Sequence, residues 1–138
     1  SLSLHGSLPA SLGSLTALRE LSMSGNSLSG QLPSSLMSLS SLISLHLQSN
    51  SFTGIIPHYI TSLTNIQEIR LSNNQFSGTL PSSLSRLHAL SILHVDSNQL
   101  TGLVPSDAGL LPSLYSLHLA YNSFIGVLPT SLCSLSSL

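Results

Sequence analysis

Charged side chains are scarce in this 138-residue chain, which has three Lys or Arg and four Asp or Glu residues. No run or patch of basic residues occurs, so the sequence predicts no nucleic-acid partner. Serine and glycine interrupt every apolar stretch before it reaches the ~18–20 residues that a membrane-spanning helix needs. The first residues lack the charged and apolar regions of a signal peptide. We therefore expect no membrane span within this chain.

Cysteine is almost absent as well, since Cys133 is the only one. A single cysteine excludes an internal disulfide framework and any zinc site built from several cysteines. We expect Cys133 to be an unpaired, partly buried thiol on an outer segment. The sequence predicts no metal ion and no cofactor.

Leucine and serine dominate the composition, with 32 and 33 copies, and both follow a strict repeat. Glycine, proline and asparagine each recur every 24 residues in one common register. The glycines stand at 6, 30, 54, 78, 102 and 126, the prolines at 9, 33, 57, 81, 105 and 129, and the asparagines at 26, 50, 74, 98 and 122. Three series in one register indicate a repeat protein built from a single structural unit.

One unit has the pattern LxxLxLxxNxLxGxLPxxLxxL, as in residues 42–63. Leu45-His46-Leu47 alternates apolar and polar residues, which predicts a short strand with one buried face. The following asparagine can bond backbone groups where the chain leaves the strand, so stacked units would form an amide ladder. Glycine marks a tight bend, and proline opens a 3₁₀ or short α-helical turn. Because no unit can bury its apolar side alone, we expect the units to stack into one core.

The pattern closely resembles the plant-type extracellular leucine-rich repeat, and the resemblance covers the whole chain. It implies an α/β solenoid over residues 1–138, with about six repeats of 24 residues. A parallel sheet would line the concave face of the arc and 3₁₀ or short helical turns its convex face, with a short second sheet around the Ser/Thr–Gly pairs. Family members include ectodomains of plant receptor-like kinases and receptor-like proteins, polygalacturonase-inhibiting proteins and some plant antifreeze proteins.

The ends depart from the family pattern. Leu2 occupies the slot of a ladder asparagine, and neither end carries the polar, cysteine-paired cap that is typical of the family. Core leucines would therefore be exposed at both ends. We expect a fragment of a longer parent protein, which could carry caps, a transmembrane helix or a kinase domain.

The register converts the sequence into columns of surface residues. The central column of the predicted concave face contains Ser22, His46, Arg70, His94 and His118. Its flanking columns hold Glu20, Glu68 and Asp96, while Tyr115 and Tyr121 lie at the edges. Charge-assisted hydrogen bonds and flat tyrosine contacts suit recognition of a protein, peptide or glycan. We therefore predict a ligand-binding face formed by Glu20, His46, Glu68, Arg70, His94, Asp96, Tyr115, His118 and Tyr121.

Other chemistry on this face has weaker support. His94 and His118 on adjacent strands lack a third metal ligand other than Asp96, which we interpret as a surface partner of His94. No G-x-S-x-G motif occurs, and an open strand surface lacks the enclosed pocket that catalysis needs, so we predict no enzyme activity. The histidines could instead make ligand binding sensitive to pH near their usual pKa of about 6.5.

Two alternatives to an extracellular receptor segment remain open. One is an inhibitor of a secreted cell-wall-degrading enzyme. The other is a structural or ice-binding protein that uses a hydroxyl-rich column beside the recurring glycines, consisting of His5, Ser29, Thr53, Ser77, Thr101 and Ile125. Those hydroxyls could equally serve the second sheet, as the Ser/Thr–Gly pair does in the family.

Overall fold

The computed structural model describes residues 3–135. Leu2 and residues 136–138, at the ends where exposed core leucines are expected, lie outside the described residues. Between them the chain repeats one order of elements, in which a strand, a second strand and a 3₁₀ helix follow one another. This order and the parallel sheets confirm the predicted leucine-rich-repeat solenoid.

Eleven short strands form two parallel sheets within the described residues. In chain order they are β1 (His5–Gly6), β2 (Glu20–Ser22), β3 (Ser27–Gly30), β4 (Ser44–His46), β5 (Ser51–Ile55), β6 (Glu68–Arg70), β7 (Gln75–Gly78), β8 (Ile92–His94), β9 (Gln99–Gly102), β10 (Ser116–His118) and β11 (Ser123–Phe124). The even-numbered strands form the five-stranded sheet of the concave side. The odd-numbered strands form the second, six-stranded sheet, so both predicted sheets are present.

Six 3₁₀ helices cover the convex side within residues 3–135. They span Ala10–Ser14, Ser34–Ser38, His58–Ser62, Leu84–Arg86, Ser106–Leu110 and Thr130–Ser134. A proline with extended ψ directly precedes all of them except Leu84–Arg86, which follows Ser83. Proline suits this position because its ring sets φ before the turn and its missing N–H leaves no bond unmade. None of these helices is long and apolar enough to cross a membrane.

Leucine, isoleucine and phenylalanine side chains from the two sheets and the 3₁₀ helices meet in one continuous core. The middle residues of β2, β4, β6 and β8, such as Leu45 and Ile69, point inward and are buried, whereas Leu117 of β10 is partly buried. Phe52 and Phe76 are fully buried and stacked, with ring centroids 6.2 Å apart. Each repeat thus buries its apolar side against its neighbours, as expected for a solenoid.

The recurring asparagines form the predicted ladder between repeats. The side-chain Nδ2 of Asn74 donates to the carbonyl oxygens of Leu47 at 3.0 Å and Leu71 at 3.1 Å. Its Oδ1 accepts the backbone N–H of Phe52 at 3.0 Å. The same bonds are made by Asn50, Asn98 and Asn122. Each amide therefore satisfies backbone groups of two successive repeats.

The recurring glycines meet two constraints at once. Gly78 has a φ of +73°, and a β-carbon there would lie 2.9 Å from Cγ2 of Ile55 in the preceding repeat. At Gly102 φ is +75°, and the β-carbon would lie 2.8 Å from Cγ2 of Thr79. A left-handed backbone under a neighbouring side chain excludes almost every residue except glycine. Both constraints also act at Gly54 and Gly126, whereas Gly6 is required only by its positive φ, since a β-carbon there would meet no atom within 4 Å.

Candidate ligand-binding face

The sheet face is the solvent side of the five-stranded sheet, formed by the outward side chains of its strands and by the residues that flank them. Backbone pairing places its central column in direct register across the strands, in the order Ser22, His46, Arg70, His94 and His118. Successive members lie about 4.7–4.9 Å apart along the backbone of a sheet. The predicted register of this column is therefore confirmed.

Glu68 is the centre of a first polar cluster on this face. His46 donates through Nε2 to Oε2 of Glu68 at 2.9 Å, and Arg70 donates through Nε to the same oxygen at 3.0 Å. Desolvation alone would raise the pKa of Glu68. The hydrogen bonds and charges of Arg70 and His46 outweigh it, so the pKa of Glu68 is lowered. The carboxylate is consequently held ionised and in a fixed position.

Asp96 is the centre of a second cluster. Its Oδ1 accepts a hydrogen bond from the hydroxyl of Ser72 at 2.5 Å and lies 3.8 Å from Nδ1 of His118. The predicted direct pairing of Asp96 with His94 is therefore wrong, because the histidine within 4 Å of this carboxylate is His118. The charge of Asp96 still acts on His94 and opposes the lowering of its pKa. The carboxylate reaches across to the neighbouring strand, whereas His94 belongs to its own repeat.

His94 and His118 stack against each other on adjacent strands. Their ring centroids are 3.7 Å apart and the rings are 4° from parallel. Nε2 of His94 also shares a hydrogen bond with the hydroxyl of Ser116 at 2.8 Å. Desolvation, and then the charges of His118 and Arg70, lower the pKa of His94. The ring of His94 is thus partly buried against the more exposed ring of His118.

Two tyrosines flank β10 at the edges of the sheet face. Tyr115 is 54% exposed and Tyr121 is 83% exposed. Tyr121 has a φ of 54°, a left-handed conformation shared by the corresponding Gly25, Ser49, Asn73 and Ser97. A bulky residue in this conformation costs roughly 1–2 kcal/mol. The left-handed turn is therefore a feature of every repeat, and Tyr121 adds a bulky exposed side chain to it.

The remaining predicted residue, Glu20, is exposed and pairs with Ser44 through the backbone of the sheet. Three further residues of the face, Ile92, Ser72 and Ser116, are not among the predicted ligand-binding residues. Ile92 occupies an outward position between Glu68 and Ser116, yet it is only 5% exposed, so neighbouring side chains cover it. Ser72 and Ser116 hold Asp96 and His94 in place. Nothing in the sequence distinguishes these two from the other serines.

The hydroxyl column of the second sheet is staggered. Ser29 pairs with Ser51, and Thr53 pairs with Gln75, so the strands are offset by two residues from the 24-residue spacing. The Ser77 hydroxyl donates to the carbonyl of Gly54 at 3.3 Å, and that of Thr101 donates to Gly78 at 3.2 Å. These two hydroxyls therefore serve the second sheet, as the Ser/Thr–Gly interpretation predicts.

No group of three or more His, Cys, Asp or Glu residues between 3 and 135 is placed to hold a metal ion. Cys133 is exposed, so the prediction of a partly buried thiol is wrong. It lies within the 3₁₀ helix Thr130–Ser134, at the slot where Met37 of an earlier repeat is 51% exposed. That slot points away from the core.

Comparison with known proteins defines the class. The leucine-rich-repeat family profile matches residues 40–100, and a second profile of the same repeat matches residues 17–39 and 113–135. With the parallel solenoid described above, these matches show that the chain belongs to the leucine-rich-repeat family, in its plant extracellular type. No curated protein matches the sequence significantly.

Solved structures with the same fold include two Arabidopsis receptor kinases, the first of them from Arabidopsis thaliana. One is the ectodomain of the membrane receptor kinase GASSHO1/SCHENGEN3, in complex with CASPARIAN STRIP INTEGRITY FACTOR 2. It is 39% identical in sequence, and the match covers 99% of this chain and 16% of the receptor chain, with a TM-score of 0.96. The other is HAESA, in complex with the peptide hormone IDA and the co-receptor SERK1. It is 37% identical in sequence, and the match covers 99% of this chain and 23% of the HAESA chain, with a TM-score of 0.95.

A third match is a plant ice-binding protein. It is 31% identical over 96% of this chain and 45% of its own, with a TM-score of 0.87. The chain thus spans less than half of the length of each of these three proteins.

Proposed function

We propose that this chain is a non-catalytic, extracellular recognition module that binds a peptide across its sheet face, as part of a receptor ectodomain. The observation that carries the proposal is the concentration of charge on that face. Of the three basic and four acidic residues, all but Arg86 and Asp107 lie there. The HAESA complex contains a peptide hormone, and we extend that class of ligand to this chain.

The side chains of the sheet face are suited to hydrogen-bond an extended peptide. The guanidinium group of Arg70 has five N–H donors, of which Glu68 engages only the one at Nε. Its remaining donors can bind a carbonyl or carboxylate of the ligand. Ion pairs and hydrogen bonds already order Glu68 and Asp96, which lowers the entropy lost when a ligand binds. We propose that the contacts are made by Glu20, His46, Glu68, Arg70, His94, Asp96, Tyr115, His118 and Tyr121.

The proposal can be tested with peptides selected from a random display library on the full 138-residue chain. Arg70→Ala and His118→Ala should each weaken the selected peptides about tenfold or more, because a hydrogen bond to a charged group contributes roughly 1.5–3 kcal/mol. Arg86→Ala is the matched control on the convex side and should leave binding unchanged. Selected peptides that respond to Arg86→Ala and ignore both sheet-face variants would refute the proposal.

Ice binding is a second candidate, favoured by the similarity to a plant ice-binding protein. The second sheet would supply the surface, although Ser77 and Thr101 already use their hydroxyls on backbone carbonyls. Inhibition of ice recrystallisation by the pure protein would support this candidate if Thr53→Leu with Thr101→Leu abolished it. Under the peptide proposal the pure protein has no such activity.

A further inference from the structure

An open groove lies at the edge of the five-stranded sheet, on the side where its strands begin. It has a volume of about 320 Å³ and is lined by Arg19, Ser41, Ile43, Asn65, Gln67 and Ala89. These residues form two columns at the 24-residue spacing, which crosses successive repeats. We call this feature the Arg19 groove. Arg19, Ile43 and Gln67 belong to the outer column of the sheet face, but none of the nine predicted ligand-binding residues lines the groove.

The backbone of the groove is held rigidly by the sheet. The N–H of Ile43 donates to the carbonyl of Arg19 at 2.7 Å, and the N–H of Gln67 donates to that of Ile43 at 2.8 Å. The side-chain amide of Asn65 donates to the carbonyl of Ser40 at 2.9 Å, which fixes its position. The groove thus presents amide and hydroxyl groups in a defined arrangement beside one guanidinium group.

Arg19 is the charged residue of the lining, and its side chain is exposed. Arg70 is paired with Glu68, whereas Arg19 forms no salt bridge with any residue between 3 and 135. The carboxylate of the adjacent Glu20 is likewise not paired with it. An unpaired guanidinium beside amide and hydroxyl groups is suited to a carboxylate, which it can bind through two parallel hydrogen bonds.

We propose that the Arg19 groove binds a carboxylate group of a peptide ligand, from an Asp or Glu side chain or a chain terminus. The inference rests on the proposed peptide-binding function and names the chemistry that the peptide must carry. A peptide fits better than an acidic glycan, because the lining has no aromatic ring on which a sugar could stack. Ile43 and Ala89 instead offer a small apolar surface for the methylene groups of an acidic side chain.

Titration of the ¹⁵N-labelled full chain with acetyl-Gly-Asp-Gly-amide tests this directly. The largest amide shifts should map to Ile43, Gln67 and the side chain of Asn65, and binding should weaken as salt increases. The matched probe acetyl-Gly-Asn-Gly-amide lacks only the charge and should bind about tenfold more weakly or worse. A peptide with a free C-terminal carboxylate distinguishes a terminus from a side chain as the source.

Arg19→Gln should weaken the Asp probe about tenfold or more, while Arg86→Gln, the matched control, should leave it unchanged. Equal binding of the Asp and Asn probes, or no effect of Arg19→Gln, would overturn the inference. Tighter binding of trigalacturonate than of both carboxylate peptides would also overturn it, in favour of a glycan. If Arg19→Gln removes probe binding while Arg70→Ala and His118→Ala spare the library-selected peptides, the groove stands and the sheet-face proposal fails.

Discussion

Replacement of Asn74 by alanine tests the asparagine ladder at the centre of the solenoid. The change removes the acceptor of the Phe52 N–H and the donors to the carbonyls of Leu47 and Leu71. The two carbonyls keep a second donor, since Asn50 also bonds Leu47 and Asn98 also bonds Leu71. The N–H of the fully buried Phe52 is the group that loses its side-chain partner.

The size of the effect follows from this accounting. A buried N–H left without a partner costs about 1–3 kcal/mol, and each further lost hydrogen bond about 0.5–1.5 kcal/mol. Because the carbonyls of Leu47 and Leu71 each keep another donor, the loss of their bonds to Asn74 costs only about 0.5 kcal/mol each. Asn74→Ala should therefore lower the free energy of unfolding by about 2–4 kcal/mol. Asn65→Ala is the matched control, since its exposed amide makes one bond, to Ser40, and surface changes cost about 0.5 kcal/mol or less.

Urea unfolding followed by far-ultraviolet circular dichroism measures both variants. Hydrogen exchange provides a local measurement, because the amide of Phe52 should lose protection while that of Phe76, which bonds Asn98, keeps it. Free energies of unfolding within about 0.5 kcal/mol of each other for the two variants would refute this prediction. Equal protection of the Phe52 and Phe76 amides in Asn74→Ala would refute it as well.

Three further changes test the backbone and the histidines. In urea unfolding, Gly78→Ala should destabilise the protein by about 1–3 kcal/mol more than Gly25→Ala. Both glycines have positive φ, but only Gly78 lies under Ile55. Equal losses of unfolding free energy in the two variants would contradict this prediction. Tyr121→Asn should stabilise the fold by about 0.5–1 kcal/mol, because asparagine tolerates the left-handed backbone at this position. The same change should weaken peptide binding. Unchanged stability would argue against strain at Tyr121. Folding lowers the pKa of His94, so its contribution to stability is complete at pH values above the usual pKa of 6.5. That contribution is lost as the pH falls from 6.5 through the lowered pKa of the folded state. His94→Gln should flatten the dependence of the unfolding midpoint on pH in that window, and an unchanged slope would exclude this role.

The sequence predicted the register of the sheet face because every repeat obeys the same steric rules. Glycine must lie under a neighbouring side chain and asparagine must bond backbone on both sides. A shift by one residue would break both series, so His46, Arg70 and His94 had to fall in one column. The partner of Asp96 could not be predicted, since the repeat places it within reach of both His94 and His118.

The amino-acid sequence by itself determined the solenoid, its two sheets, its 3₁₀ turns and the column on which the histidines lie, because these depend on backbone geometry that recurs with the 24-residue period. Only the tertiary structure decided how the side chains of that column pair. The stack of His94 on His118, the cluster around Glu68 and the unpaired Arg19 depend on side-chain rotamers and local desolvation. These differ from repeat to repeat, and no period in the sequence encodes them.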